Sequence, residues 1–155
     1  MTRVLLAALI ATLPYGMTVQ SARAGERDEV QALVERAVDY VRVNGRLRAF
    51  AAFNRPDGGF IKGDLYIFCD DAVGINLANG GNPNLVGHNL ATVRDAEGKR
   101  PALDLYQITQ AQGEGWYDFL WPNPATGRVE RKIVFAKRID DKAFCASGYY
   151  EPAVR

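Results

Sequence analysis

Apolar residues recur at helical spacing near the start of the chain. Val30, Leu33, Val34, Ala37, Val38 and Val41 fall on one stripe, which predicts an amphipathic helix from Glu26 to Val43. Glu26, Asp28 and Glu29 suit the positive N-terminal end of such a helix, and Asn44-Gly45 marks its stop. A shorter helix is predicted from Arg46 to Phe53, with Phe50 and Phe53 capping the core. It ends at Asn54-Arg55-Pro56-Asp57-Gly58-Gly59, a dense turn signal.

The pattern then changes. Asp64-Leu65-Tyr66-Ile67-Phe68-Cys69 is rich in β-branched and aromatic residues without polar alternation, as in a strand covered on both faces. A turn at Asp70 to Gly74 leads into Ile75-Asn76-Leu77-Ala78 and closes a hairpin. The segment from Asn79 to Leu90 is too rich in Gly, Asn and Pro for regular structure, and loops of that length in a small domain are usually functional. Pro101 opens a helix over Ala102 to Gln112 with Leu105 and Ile108 inward, and Gly113 ends it.

The stretch Gly115-Trp116-Tyr117-Asp118-Phe119-Leu120-Trp121 alternates large rings and is stopped by Pro122-Asn123-Pro124. Arg131-Lys132-Ile133-Val134-Phe135 returns beside it, predicting a second hairpin. Strand parity puts Tyr117, Phe119 and Trp121 on one face, with Trp116, Asp118 and Leu120 on the other. One set belongs to the core and the other is free to line a pocket; parity does not choose. Asp140-Asp141-Lys142 forms the last turn before a closing strand from Ala143 to Tyr150. The order predicts an α+β domain, one antiparallel sheet of about five strands with helices packed on it.

The first residues belong to a different class. Arg3, the apolar run from Val4 to Leu13 and the ending Ala22-Arg23-Ala24 together read as a secretory signal peptide over residues 1–24, cleaved after Ala24. The apolar run is about half of the ~20 residues that a membrane span needs. The predicted mature chain, residues 25–155, is a single exported domain, periplasmic or secreted. Without Arg3 and Arg23 it holds 17 basic and 18 acidic residues, so there is no basic excess of the kind a nucleic-acid binder shows. Cys69 and Cys145, both in predicted strands, are either a disulfide, as an even pair in an exported chain suggests, or two buried thiols.

Candidate chemistry is sparse. The mature chain has one serine, Ser147, and one histidine, His88, but Ser147 lies in a predicted strand without a nucleophile elbow. One histidine and two distant cysteines give no zinc spacing, and no cofactor motif is present. Asp70-Asp71 and Asp140-Asp141 read as solvated turn residues. His88 is either an exposed loop histidine or a group that hydrogen-bonds a ligand. Lys132 is either a snorkelling surface lysine or a buried cation awaiting an anion, since an unpaired buried ammonium is costly. The composition favours a ligand-binding module over an enzyme.

Several stretches in order resemble the Cache sensor domains, in particular the single-module type of exported bacterial proteins. These are Gly63 to Phe68, Leu77 to Leu90, Gly115 to Gly127 continuing into Lys132, and Ser147-Gly148-Tyr149-Tyr150. With the leading helix they cover essentially all of the predicted mature chain. The resemblance implies a PAS-like fold: a long N-terminal helix along a five-stranded antiparallel sheet, with a loop-helix insert over a pocket. It implies binding of a small organic acid, an amino acid or a similar metabolite, and relatives that are extracytoplasmic parts of chemoreceptors and sensor kinases. Carried over by position, Tyr66, Tyr117, Trp121 and Lys132 are expected ligand contacts. The family often has His where Asn79 stands, so a ligand contact at Asn79 is either altered or lost. The expected partners are a carboxylate ligand, a separate membrane receptor or kinase, and a second copy of the chain in a homodimer. The alternative is a structural module of the cell envelope that dimerises through its long helix and binds nothing.

Overall fold

The computed structural model of the protein describes residues 16–151. Helix α1, Gly16–Asn44, starts ten residues before the expected Glu26. Nothing between Gly16 and Glu26 breaks a helix, since the lone Gly25 costs only about 1 kcal/mol. The acidic residues Glu26, Asp28 and Glu29 therefore lie inside the helix rather than at its N-terminus. The helix runs through the predicted cleavage point after Ala24, and residues 1–15 of the predicted signal peptide lie outside the described residues.

Helix α2 spans Arg46–Phe53, as the pattern predicts. Between the two helices Gly45 adopts φ 77°, a left-handed conformation that costs other residues strain. After a short 3-10 turn at Pro56–Gly58 come β1, Ile61–Lys62, and β2, Leu65–Tyr66, a small hairpin turned at Gly63. This hairpin divides the expected strand at Asp64–Cys69: its second half is β3, Phe68–Asp71, with Ile67 between the two. Strand β4, Asn76–Asn79, pairs antiparallel with β3. A long segment with one 3-10 turn, Pro83–Leu85, leads to helix α3, Pro101–Gln112, with Pro101 in its first turn. Strands β5, Glu114–Pro122, β6, Val129–Asp140, and β7, Ala143–Glu151, complete the chain.

Five strands form one antiparallel sheet in the order β4-β3-β7-β6-β5. The last strand lies in the middle, so the N-terminal and C-terminal halves of the sheet join through β7. Helix α1 packs on one face. There Val30, Leu33, Val34, Ala37 and Val41 meet Phe53, Phe60, Ile67, Phe135 and Tyr149. The other face carries Phe68, Phe119, Val134, Phe144 and Tyr150 against Leu105 of α3. Both faces of β2 and β3 are covered, which is the reason for their unbroken apolar run.

Cys69 and Cys145 are cross-strand partners in the β3–β7 pair and form a disulfide. It joins the two halves of the sheet across a sequence separation of 76 residues. A cross-link closing a loop of that length stabilises a fold by about 4 kcal/mol in the chain-entropy account.

Candidate ligand-binding site

The register of the β5–β6 hairpin assigns its faces. Trp116 pairs with Phe135 and faces α1, where the Arg27 guanidinium lies 4.4 Å from the centroid of its ring. The opposite parity, Tyr117, Phe119 and Trp121, shares the second face with Lys132 and Val134. On that face a cavity of about 30 Å³ sits beneath the loop and the start of α3. That is room for about two water molecules, so the described conformation admits only a short ligand.

Lys132 is the fully buried charge of this site, at 1% exposure. Its Nζ lies 3.7 Å from the Tyr66 ring centroid, 4.9 Å from that of Tyr150 and 5.1 Å from that of Phe68. Among the described residues it has no carboxylate partner and no hydrogen-bond acceptor; Asp64 supplies only a more distant negative charge. Burial pushes its pKa well below the ordinary lysine value. Ring faces attract the cation by about 2 kcal/mol, less than the several kcal/mol that removing an ammonium from water costs. An anion delivered to Nζ would redress the difference. The aromatic wall is itself fixed: the hydroxyls of Tyr66 and Tyr150 are 3.0 Å apart, and Tyr150 donates onward to the Pro122 carbonyl at 3.0 Å. Burial pushes the Tyr66 hydroxyl up to about 12, so both phenols stay neutral donors.

Asp70 overturns its expected role. It is a cavity-lining residue at 2% exposure rather than a solvated turn residue, because β3 extends through it and its side chain follows the parity of Tyr66 and Phe68. Asp71 is the turn residue, accepting from the backbone N–H of Val73 and Ile75. Burial pushes the Asp70 carboxyl up to about 7, against the hydrogen bond that Asn76 Nδ2 donates to it at 2.7 Å. Asn76 also lines the cavity, and its Oδ1 is buried without a partner among the described residues.

The segment from Asn79 to Arg100 covers the site. Asn79 lines the cavity, but its Oδ1 accepts from the backbone N–H of Gly81 (3.2 Å) and Asn82 (2.9 Å) and so shapes the start of the loop. Leu90 and Val93 roof the cavity, and Pro101 and Ala102 close it from α3. Farther on, the loop is tied to the β5–β6 edge. Lys99 bonds Asp118 at 2.8 Å, Glu97 pairs with Arg131, and Asp95 accepts from Leu120 N–H at 2.9 Å. An open groove of about 580 Å³ shares Tyr66, Val93 and Trp121 with the cavity and gives a path to solvent.

Of the residues singled out from sequence, Tyr66, Trp121, Lys132 and Asn79 border this cavity. Tyr117 does not: its hydroxyl donates to Asp104 of α3 at 2.8 Å, and its ring lies under Lys99. Phe68, Asp70, Asn76 and Phe119 were missed. Two-residue steps from Tyr66 and from Trp121 reach Phe68, Asp70 and Phe119, so their signal was strand parity; Asn76 carried none. Ser147 is fully buried and donates to the Tyr66 carbonyl at 2.8 Å, whereas His88 is exposed on the loop, so the two do not make a nucleophile pair. No group of three or more His, Cys, Asp or Glu side chains suited to a metal occurs among the described residues.

Solved structures share this architecture. A methyl-accepting chemotaxis protein from Vibrio parahaemolyticus RIMD 2210633 superposes with a TM-score of 0.69 at 22% identity, over 84% of this chain and 92% of its own. A periplasmic sensor domain of a chemotaxis protein gives 0.66 at 26% identity, over 87% and 99%. A Cache chemosensory domain described for its carboxylic acid recognition gives 0.67 at 15% identity, over 90% and 100%. No curated protein sequence matches the chain. The family model for single Cache domain 2, a ligand-binding sensor module, matches residues 16–142. That match spans the long helix and most of the β4-β3-β7-β6-β5 sheet, and the chain belongs to the single Cache domain 2 family.

Proposed function

We propose that the chain is an extracytoplasmic sensor that holds a short carboxylate against the Lys132 ammonium. The observation that carries this is a wholly buried lysine that has no carboxylate partner among the described residues and faces an aromatic cavity. The carboxylate would supply the missing counter-charge, and Tyr66, Phe68 and Trp121 would enclose its apolar part. The carboxylic acid recognition ascribed to one structural neighbour is consistent with this chemistry. An interior packed solid would favour the alternative of a purely architectural module; the cavity weighs against it.

Residues 1–24 act in this proposal as the export signal, and the domain works in the periplasm or outside the cell. No helix among the described residues is long and apolar enough to cross a membrane. In this proposal the bound state is relayed to a separate membrane receptor or kinase. Calorimetric titration with propionate tests the central contact. Lys132→Ala is expected to weaken binding at least tenfold, or about 1.4 kcal/mol. Unchanged affinity would remove Lys132 from the site, and a melting temperature indifferent to short acids would remove the ligand class.

A further inference from the structure

A carboxylate bound at Lys132 leaves the polar atoms at the far end of the cavity unused. There Asn76 directs its Nδ2 at two acceptors, Asp70 Oδ1 at 2.7 Å and the Cys69 carbonyl at 3.4 Å. Two acceptors on the nitrogen side fix the orientation of the amide. The Oδ1 is therefore an acceptor, in a side chain 1% exposed, with no donor among the described residues. A buried acceptor left unmet costs about 1–3 kcal/mol, a penalty that a ligand donor would remove. Asp70 beside it is 2% exposed and among the described residues receives one side-chain hydrogen bond, that from Asn76.

The two ends are close. Lys132 Nζ lies 5.1 Å from the Phe68 ring centroid, and Asp70 follows two residues later on the same face of β3. Two residues of strand advance about 6.6 Å. A bridging ligand must therefore place its two polar groups within a few bonds of each other.

Resting on the carboxylate reading above, we propose that the cavity selects short acids bearing a hydroxyl or amino group on the second or third carbon. The carboxylate meets Lys132, and the O–H or N–H donates to Asn76 Oδ1 with Asp70 alongside. An unsubstituted acid of the same length would leave that acceptor dry and unpaired, and sites built around a hydrogen bond discriminate strongly against analogues that lack it. Acids of about five or six non-hydrogen atoms exceed the cavity of about 30 Å³ alone and extend into the adjoining groove at Tyr66, Val93 and Trp121.

Calorimetric titration of the intact protein with propionate, lactate and alanine at equal pH tests this. Lactate or alanine is expected to bind at least tenfold tighter than propionate, and the better of the two identifies the donor as hydroxyl or ammonium. In Asn76→Leu that advantage should shrink to less than threefold while propionate binding persists. Equal affinity for all three acids on the unaltered protein would overturn the donor site and leave the Lys132 contact standing. Absence of binding by all three would overturn the carboxylate reading itself. The comparison on the unaltered protein decides the matter even if Asn76→Leu does not fold.

Discussion

Gly81 rests against the ring of Tyr66: a Cβ placed on Gly81 would fall 2.3 Å from the ring's Cζ. The loop thus reaches the cavity wall at a point where only a hydrogen fits. The ring has little freedom to yield, because Tyr66 is 3% exposed and its hydroxyl is bonded to Tyr150.

Gly81→Ala should therefore lift the loop or tilt the ring. Overpacking of this kind costs about 1–3 kcal/mol, and denaturant unfolding should read a loss in that range. Binding of short acids should weaken in parallel, since Tyr66 forms the nearest wall to Lys132 Nζ. Wild-type stability and affinity in Gly81→Ala would mean that the loop does not press on the site.

Asp70 predicts a pH dependence with a definite sign. Its folded-state pKa is raised to about 7, from the ~3.9 of an unfolded chain, so the folded state favours the neutral acid. The associated stability is fully present below about pH 4, declines as pH rises, and is gone above about 7. The slope is about 1.4 kcal/mol per pH unit, on the order of 4 kcal/mol over the window. Several surface carboxylates, Asp118 and Glu97 among them, are held below their ordinary values by their cationic partners and act in the opposite direction. The difference between wild type and Asp70→Asn isolates the buried group. Urea unfolding at pH 4.5 and 7.5 should show the variant gaining relative stability at the higher pH, and parallel profiles would contradict the burial of an ionisable acid.

Lys132 predicts proton uptake. Burial lowers its pKa and a bound anion raises it, so carboxylate binding at a pH between the two values should draw a proton from the buffer. The measured binding heat should vary with the ionisation enthalpy of the buffer, and in Lys132→Met that variation should vanish. Lys132→Met should also raise the melting temperature of the free protein, because an apolar side chain of similar length replaces a buried amine. A lysine kept for structure alone would give the reverse.

The disulfide predicts a loss shared by the whole sheet. Replacing Cys69 and Cys145 together by alanine should lower stability by about 2–4 kcal/mol, read by urea unfolding, with the same loss on reduction of the native protein. A reduced protein as stable as the oxidised one would show that the β3–β7 pairing holds unaided.

The helices were legible because periodicity and punctuation are local. The stripe from Val30 to Val41, Pro101 at the start of α3 and Gly113 at its end identify their elements without reference to the rest of the chain. The β5–β6 hairpin was legible for the same reason, and so was the parity grouping Tyr117, Phe119 and Trp121. Which parity faces the cavity depends on which face α1 covers, a long-range fact with no local signature. Tyr117 shows the limit of parity: it shares the face of Trp121 yet lies against α3, where Asp104 takes its hydroxyl. Asp70 looked like half of an acidic turn because its burial comes from β7, β4 and the distant loop. The pairing of Cys69 with Cys145 likewise follows from β7 returning to the centre of the sheet. Local side-chain order sets what each segment is; the sheet order sets which side chains meet, since cavity walls are assembled from strands far apart in sequence.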